Sequence, residues 1–258
     1  MNFYHIDSFT SELFKGNPAG VCILGDRWLS DALMQKIAFE NNLSETAFLI
    51  CREGAYHIRW FTPTVEVRLC GHATFATFYA LVNFEGYKSD HIRFQSASGE
   101  LRAYRNGDLI TIDLPAATLK PENYEWDFAC FDSHPVEVFS ANDEYMFVFE
   151  REEQIANMKF DLDLISKVDS DGIIVTAPGK EVDFVSRYFG PNCGIPEDPV
   201  TGSAHTLLMP YWSKRFNQNS LEAMQLSPRT GRLSCKLEGD RVLLSGHGAT
   251  FMHGQIEL

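Results

Sequence analysis

The segment Arg59-Trp60-Phe61-Thr62-Pro63 returns 128 residues later as Arg187-Tyr188-Phe189-Gly190-Pro191, and Gly71-His72-Ala73 returns at an offset of 131 as Gly202-Ser203-Ala204. Ser44-Glu45 falls opposite Ser170-Asp171 at an offset of 126. Offsets that drift by a few residues are what small loop insertions leave behind, so the chain reads as one unit used twice. The helix of the first copy, Ala73 to Val82, is apolar on nearly every face and therefore needs protein all round it. A sheet curled about the helix supplies that cover. The expected fold is α+β, with two pseudo-symmetric lobes, each a curled, mostly antiparallel sheet around one central apolar helix. The N-terminal lobe is expected over residues 1–115, a linker over 116–132 and the C-terminal lobe over 133–258.

Local patterns fill in the first copy. Phe3 to Phe9 alternates as a strand, and Lys15-Gly16-Asn17-Pro18-Ala19-Gly20 reads as a turn feeding a strand from Val21 to Leu24. Ser30 is placed to cap a helix through about Glu40, whose Leu33, Met34, Ile37 and Ala38 share one face. Asn41-Asn42 stops that helix before a strand from Glu45 to Cys51. Ser98-Gly99 and Asn106-Gly107 mark turns between later strands. Pro115 to Asp132 is irregular and rich in polar residues. In the second copy, short strands and a short helix from Asp161 to Val168 lead to a helix from about Thr201 to Phe216.

Charge and cysteine usage exclude several roles. A net charge of −13 with no compensating Lys/Arg run repels phosphate backbones and anionic lipid, so neither nucleic acid nor membrane is an expected partner. An anionic small substrate would need local positive potential, such as helix N-termini. The six cysteines include no C-x-x-C pair, and Met1 to Asp7 lacks a basic stretch followed by an apolar one. Reduced thiols in a cytoplasm are the expectation. The longest apolar run, Ala73 to Phe84, is too short to span a bilayer.

Chemistry is expected at Glu45. As the first residue of an apolar strand it points with Ala47 and away from Thr46, into a pocket walled by Phe48 and its neighbours. Desolvation there would raise its pKa into a range useful for proton transfer. Both central helices start at glycine-containing turns, and if the lobes pair about a pseudo-two-fold axis, both starts present free N–H groups and positive dipole ends to one cleft, where a carboxylate is the natural ligand. The first turn carries Cys70, Gly71 and His72; the second carries Asp198, Thr201, Gly202, Ser203 and His205. Asp198 or Thr201 could equally be a helix cap, and His72 a structural histidine. A metal set of Cys70, His72, Cys193 and His205 matches no standard zinc spacing. Ser245-Gly246-His247-Gly248 lacks the third glycine of a dinucleotide fingerprint, and no G-x-S-x-G elbow is present.

Gly16-Asn17-Pro18-Ala19-Gly20-Val21, Asn42-Leu43-Ser44-Glu45-Thr46-Ala47-Phe48, Arg59 to Pro63, Cys70-Gly71-His72-Ala73-Thr74 and Glu197 to Ala204 together resemble the signatures of the PhzF-like family, named for a phenazine-biosynthesis isomerase. The resemblance covers nearly the whole chain. It implies a diaminopimelate-epimerase-like fold, commonly a homodimer, with no metal or organic cofactor. It also implies a catalytic set of Glu45, His72, Asp198 and Ser203, with Asn17, Gly71, Ala73, Thr201 and Gly202 holding substrate. In the phenazine enzyme a proton moves between carbons of a cyclic dihydroxy amino-acid-type carboxylate. The related epimerases use two thiols, whereas this chain has Cys70 at the first position and no cysteine in the second turn. The expected activity is therefore a cofactor-independent isomerase with one Glu general acid/base. The competing readings are a Cys70-dependent racemase or epimerase, and a non-catalytic binding protein on the same scaffold.

Overall fold

A computed structural model describes residues 1–122 and 130–258. The first part of the chain forms β1 (Asn2–Ser8), β2 (Asn17–Ile23), α1 (Asp31–Asn41), β3 (Glu45–Arg52), β4 (Ala55–Phe61), β5 (Glu66–Val67), α2 (Gly71–Asn83), β6 (His91–Ser96), β7 (Gly99–Asn106) and β8 (Leu109–Pro115). The second forms β9 (Lys120–Pro121), β10 (Glu137–Ala141), β11 (Glu144–Val148), α3 (Glu152–Ala156), α4 (Leu162–Ile165), β12 (Gly172–Pro178), β13 (Phe184–Gly190), β14 (Ile195–Asp198), α5 (Gly202–Phe216), β15 (Ser220–Gln225), β16 (Gly231–Glu238), β17 (Arg241–Gly246) and β18 (Gly248–Gln255). The chain divides into two compact units, one of Met1–Leu114 with Leu244–Leu258 and one of Pro115–Leu243.

The repeat is a repeat of strand pairing. In the first unit β2 is antiparallel to β1 and parallel to β3, β3 is antiparallel to β4, and β4 is antiparallel to β5 and parallel to β6. In the second, β11 is antiparallel to β10 and parallel to β12, β12 is antiparallel to β13, and β13 is antiparallel to β14 and parallel to β15. Arg59 opposite Phe48 matches Arg187 opposite Val175, at the expected offset of 128. The ladder corrects the partner of Glu45. Thr46 opposite Phe61 matches Ile173 opposite Phe189, so Glu45 corresponds to Gly172 and not to Asp171.

Each sheet has a central-helix face and an outer face. α2 lies against β1, β2, β3 and β7. Nearly all of it is buried, and Thr74 and Thr77 satisfy their buried hydroxyls by donating to the carbonyls of Cys70 and Ala73 at 2.6 and 2.7 Å. α5 lies against β15 and β16, and Trp212 donates from Nε1 to Thr176 Oγ1 at 3.0 Å. On the outer face of the first unit, α1 packs Met34, Ile37 and Ala38 on Phe3, Cys22, Phe48 and Phe61. Ser30 caps α1 as expected, accepting from Leu33 N, and Asn42 ends it in the left-handed conformation. Phe48 therefore faces away from the Glu45 side of β3 and is no wall of its pocket, because residues three apart on a strand point to opposite faces.

Three other expectations change. Residues 17–20 are not a turn but the start of β2, paired with β1 from Ser8 opposite Asn17. Of the expected turn only Lys15 and Gly16 precede the strand; Gly16 has φ +65, and a Cβ there would come within 2.2 Å of the Ser8 carbonyl oxygen. Pro18 is tolerated because the pairing with β3 begins one residue later, at Ala19. The stretch expected as a linker contains β9, paired with Phe139 and Ser140, and the buried Cys130 and Phe131; its residues 123–129 lie outside the described residues. The last strand belongs to the first unit, since β18 pairs with β1 from Gly248 opposite Ser8 to Gln255 opposite Asn2.

Candidate active site

In the first unit, Glu45 opens β3 opposite Ala19 of the parallel neighbour and is 8% exposed. Its Oε2 lies 3.3 Å from Nε2 of His72, the second residue of α2. The other ring nitrogen, Nδ1, lies 3.3 Å from Asn17 Nδ2 and 3.4 Å from Cys70 Sγ. Ser8 donates to the His72 carbonyl at 2.9 Å, fixing the helix start to the end of β1. Cys70 is the N-cap and no side chain caps the helix. Burial pushes the His72 imidazole down to about 3, against the opposing effect of a hydrogen bond to the Pro18 carbonyl. The ring is neutral at physiological pH. A neutral ring places no imidazolium charge against the Glu45 carboxyl.

In the second unit the equivalent turn is built differently. Thr201 stands where Cys70 stands, Gly202 where Gly71 stands, and Ser203 where His72 stands, all at an offset of 131. Asp198 is buried and its Oδ2 accepts from Thr201 Oγ1 at 2.5 Å. Gln225, which the sequence patterns did not single out, holds this turn together. Its amide donates to the Asp198 carbonyl at 2.8 Å and to Thr201 Oγ1 at 3.0 Å, and its oxygen accepts from Thr201 N at 2.8 Å. It lies at the end of β15, where strand alternation marks it for burial, and a fully buried glutamine is the signal that could have found it. Thr201 is the N-cap but its side chain makes no cap bond. Ser203 is exposed.

His205 is structural. It is fully buried, donates from Nδ1 to the Thr201 carbonyl at 2.7 Å, and is pushed down to about 4 by desolvation. Thr74 makes the same backward bond at the equivalent place in α2. The repeated arginines are structural too. Arg187 forms a two-pronged pair with Glu197 at 2.7 and 2.9 Å and donates to the carbonyls of Ile155 and Met158. Arg59 pairs the same way with Glu66 and also holds Asp31. Each clamps the short strand that leads into its central helix start.

Asn17, Gly71 and Ala73 surround the His72 start, with Asn17 and Ala73 fully buried. Among the described residues, the one cluster with metal-ligand atoms close together is Glu45, Cys70 and His72, within 4.8 Å of one another. The thiol lies 3.4 Å from Nδ1 and the carboxylate 3.3 Å from Nε2. No helix among the described residues is long and apolar enough to cross a membrane.

The family profile of phenazine biosynthesis-like proteins matches residues 6–254. An uncharacterized isomerase of Pseudomonas aeruginosa is 44% identical, with 100% of this chain and 99% of the relative covered. The crystal structure of a PhzF-family phenazine biosynthesis protein from Enterococcus faecalis superimposes with a TM-score of 0.96 at 41% identity, covering 100% of this chain and 99% of that one. A hydroxyproline epimerase from Agrobacterium vitis, solved with bound trans-4-hydroxy-L-proline, shares the fold at a TM-score of 0.66 and 10% identity, covering 98% of this chain and 91% of that one. A likeness at that identity speaks for the fold alone. The chain therefore belongs to the phenazine biosynthesis-like, or PhzF, family of isomerases, on the α+β fold shared with the amino-acid epimerases.

Proposed function

We propose that this protein is a cofactor-independent isomerase that moves a proton between carbons of a small carboxylated substrate, with Glu45 as the proton carrier. The observation that carries this reading is a buried carboxyl 3.3 Å from a neutral imidazole at an uncapped helix start. In the proposed sequence Glu45 takes the proton from one carbon as the C–H bond breaks. The developing negative charge spreads into the conjugated carboxylate and is met by N–H groups of the Gly71 start. Glu45 then returns the proton to another carbon on the same face. We assign His72 to orienting Glu45, Asp198 and Ser203 to substrate handling, and Asn17, Gly71, Ala73, Thr201 and Gly202 to holding these groups or the substrate in place.

A Cys70-dependent racemase is a second reading, favoured by the 3.4 Å approach of its thiol to His72 Nδ1. Against it, Thr201 occupies the corresponding place at the start of α5 and offers no second thiol. The test is deuterium incorporation, followed by proton NMR in heavy water, into a panel of small cyclic unsaturated amino carboxylates. Glu45→Gln should lose ~10²- to 10⁴-fold of the exchange while keeping its fold, and Cys70→Ala should keep most of it. Full exchange by Glu45→Gln, or loss confined to Cys70→Ala, would overturn the assignment.

A further inference from the structure

The second unit contains a buried acid that the proposed mechanism does not use. Glu144 opens β11 directly opposite Gly172, and that rung is the counterpart of Ala19 opposite Glu45. Each unit thus carries a single buried carboxylate at the same rung, on β3 in one and on the neighbouring strand, β11, in the other. Glu144 is 7% exposed and hydrogen-bonds Tyr188. Gly172 makes room for this pair: a Cβ there would fall 2.1 Å from the Tyr188 hydroxyl oxygen. Tyr188 in turn is paired with Asp198 across β13 and β14 and feels its charge. The line Glu144, Tyr188, Asp198 therefore runs from a buried acid to the second helix start.

We propose that Glu144 is a positioning residue for Asp198, acting through Tyr188, so that ionisation of Glu144 alters the charge environment of the Asp198 turn. Its bearing on catalysis rests on Asp198 belonging to the site proposed above. The titratable groups facing Glu144 are Tyr188 from β13, Asp171 from the turn before β12, and Cys193 from the 3-10 turn Pro191–Cys193. Each is neutral or anionic; Asp143, Asp169 and the cation Lys120 line the same cavity as Glu144. Burial, with Asp171 adding to it and the Tyr188 hydrogen bond opposing it, pushes Glu144 up to about 7, so it changes charge near neutrality. A new negative charge here adds to the field at the Asp198 turn and opposes an anionic substrate held there.

The experiment is a carbon-13 titration of the full-length protein labelled at aspartate side-chain carboxyls, with the Asp198 signal assigned by its loss in Asp198→Asn. The wild type should show an inflection near pH 7 in the Asp198 signal, absent in both Glu144→Gln and Tyr188→Phe. Persistence of the inflection in Glu144→Gln or in Tyr188→Phe, or its absence from the wild type, overturns the coupling. With a compound from the panel above that the wild type exchanges, the rate should step down to a lower plateau as pH rises through 7, and Glu144→Gln should remove that step. A step that survives in Glu144→Gln also overturns the proposal. The titration reads Asp198 without substrate, so a result against Glu45 as proton carrier leaves it interpretable.

Discussion

Replacing Glu144 by glutamine should change stability in a pH-dependent way whose sign and size follow from its burial. In the folded chain Glu144 holds its proton up to about 7, whereas an unfolded chain releases it near the ordinary value of 4.5. Between those values the native state binds more protons than the unfolded one, so this group's contribution to stability falls as pH rises through the window. It is fully present below 4.5 and lost above 7. The gap, at ~1.4 kcal/mol per pH unit, amounts to roughly 3 kcal/mol. Glutamine copies the shape and hydrogen-bonding capacity of the protonated acid but cannot ionise. Urea unfolding of wild type and Glu144→Gln should therefore give midpoints close together at pH 5, with the variant more stable by about 3 kcal/mol at pH 8. Taking the difference between the two proteins cancels the histidines, whose contribution runs the other way. Parallel stability curves from pH 5 to 8, or a variant less stable at pH 8, would refute the burial of an ionisable acid at this rung.

Other substitutions probe the scaffold. Gly172→Ala should cost about 1–3 kcal/mol in urea unfolding, because its Cβ meets the Tyr188 hydroxyl oxygen at 2.1 Å and the ring carbon behind it at 2.3 Å. Arg187→Ala should cost about 3 kcal/mol or more by leaving the mostly buried Glu197 without its partner, whereas Arg59→Ala at the more exposed counterpart should cost about 1 kcal/mol or less. On the acid side, His72 and His205 stay neutral in the fold down to about 3 and 4 while unfolded chains take up protons from 6.5. Their contribution to stability is complete above 6.5 and should fall as pH drops toward 4, and a double His72→Gln, His205→Gln protein should show a shallower acid slope in the same assay.

Much of the fold could be read from the residues because its signals are local or repeated. The Ser30 cap, the apolar α2 and the Arg-aromatic-Phe motifs each act within a few residues or recur in both copies. The errors arose where distant pairing decides the outcome. Nothing near Gly248 announces that β18 completes the first unit by pairing with β1. Gly16-Asn17-Pro18 has the composition of a turn, yet pairing with β1 draws Asn17 and Pro18 into the strand. At the site, Glu45 and His72 were legible from their motifs, and their 3.3 Å approach joins them. Gln225 and Glu144 were not, because each takes its meaning from a partner on another strand. The match of Ser44-Glu45 to Ser170-Asp171 shows the hazard directly: a similar dipeptide one residue out of register names the wrong counterpart.

That correction bears on the proposed chemistry. A stereoinverting epimerase needs a proton carrier on each face of the substrate, and a duplicated fold could supply them as equivalents. Here the equivalent positions differ: Glu45 against Gly172, Cys70 against Thr201, and His72 against Ser203. The proton-carrying side chain of each pair falls in the first unit, while the second has Gly172 and the hydroxyls of Thr201 and Ser203, which can donate hydrogen bonds but are poor bases near neutral pH. Its one buried acid at the matching rung, Glu144, is bonded to Tyr188. Under the isomerase reading, returning the proton to a different carbon on the same face is the step that one carboxyl, Glu45, can complete alone.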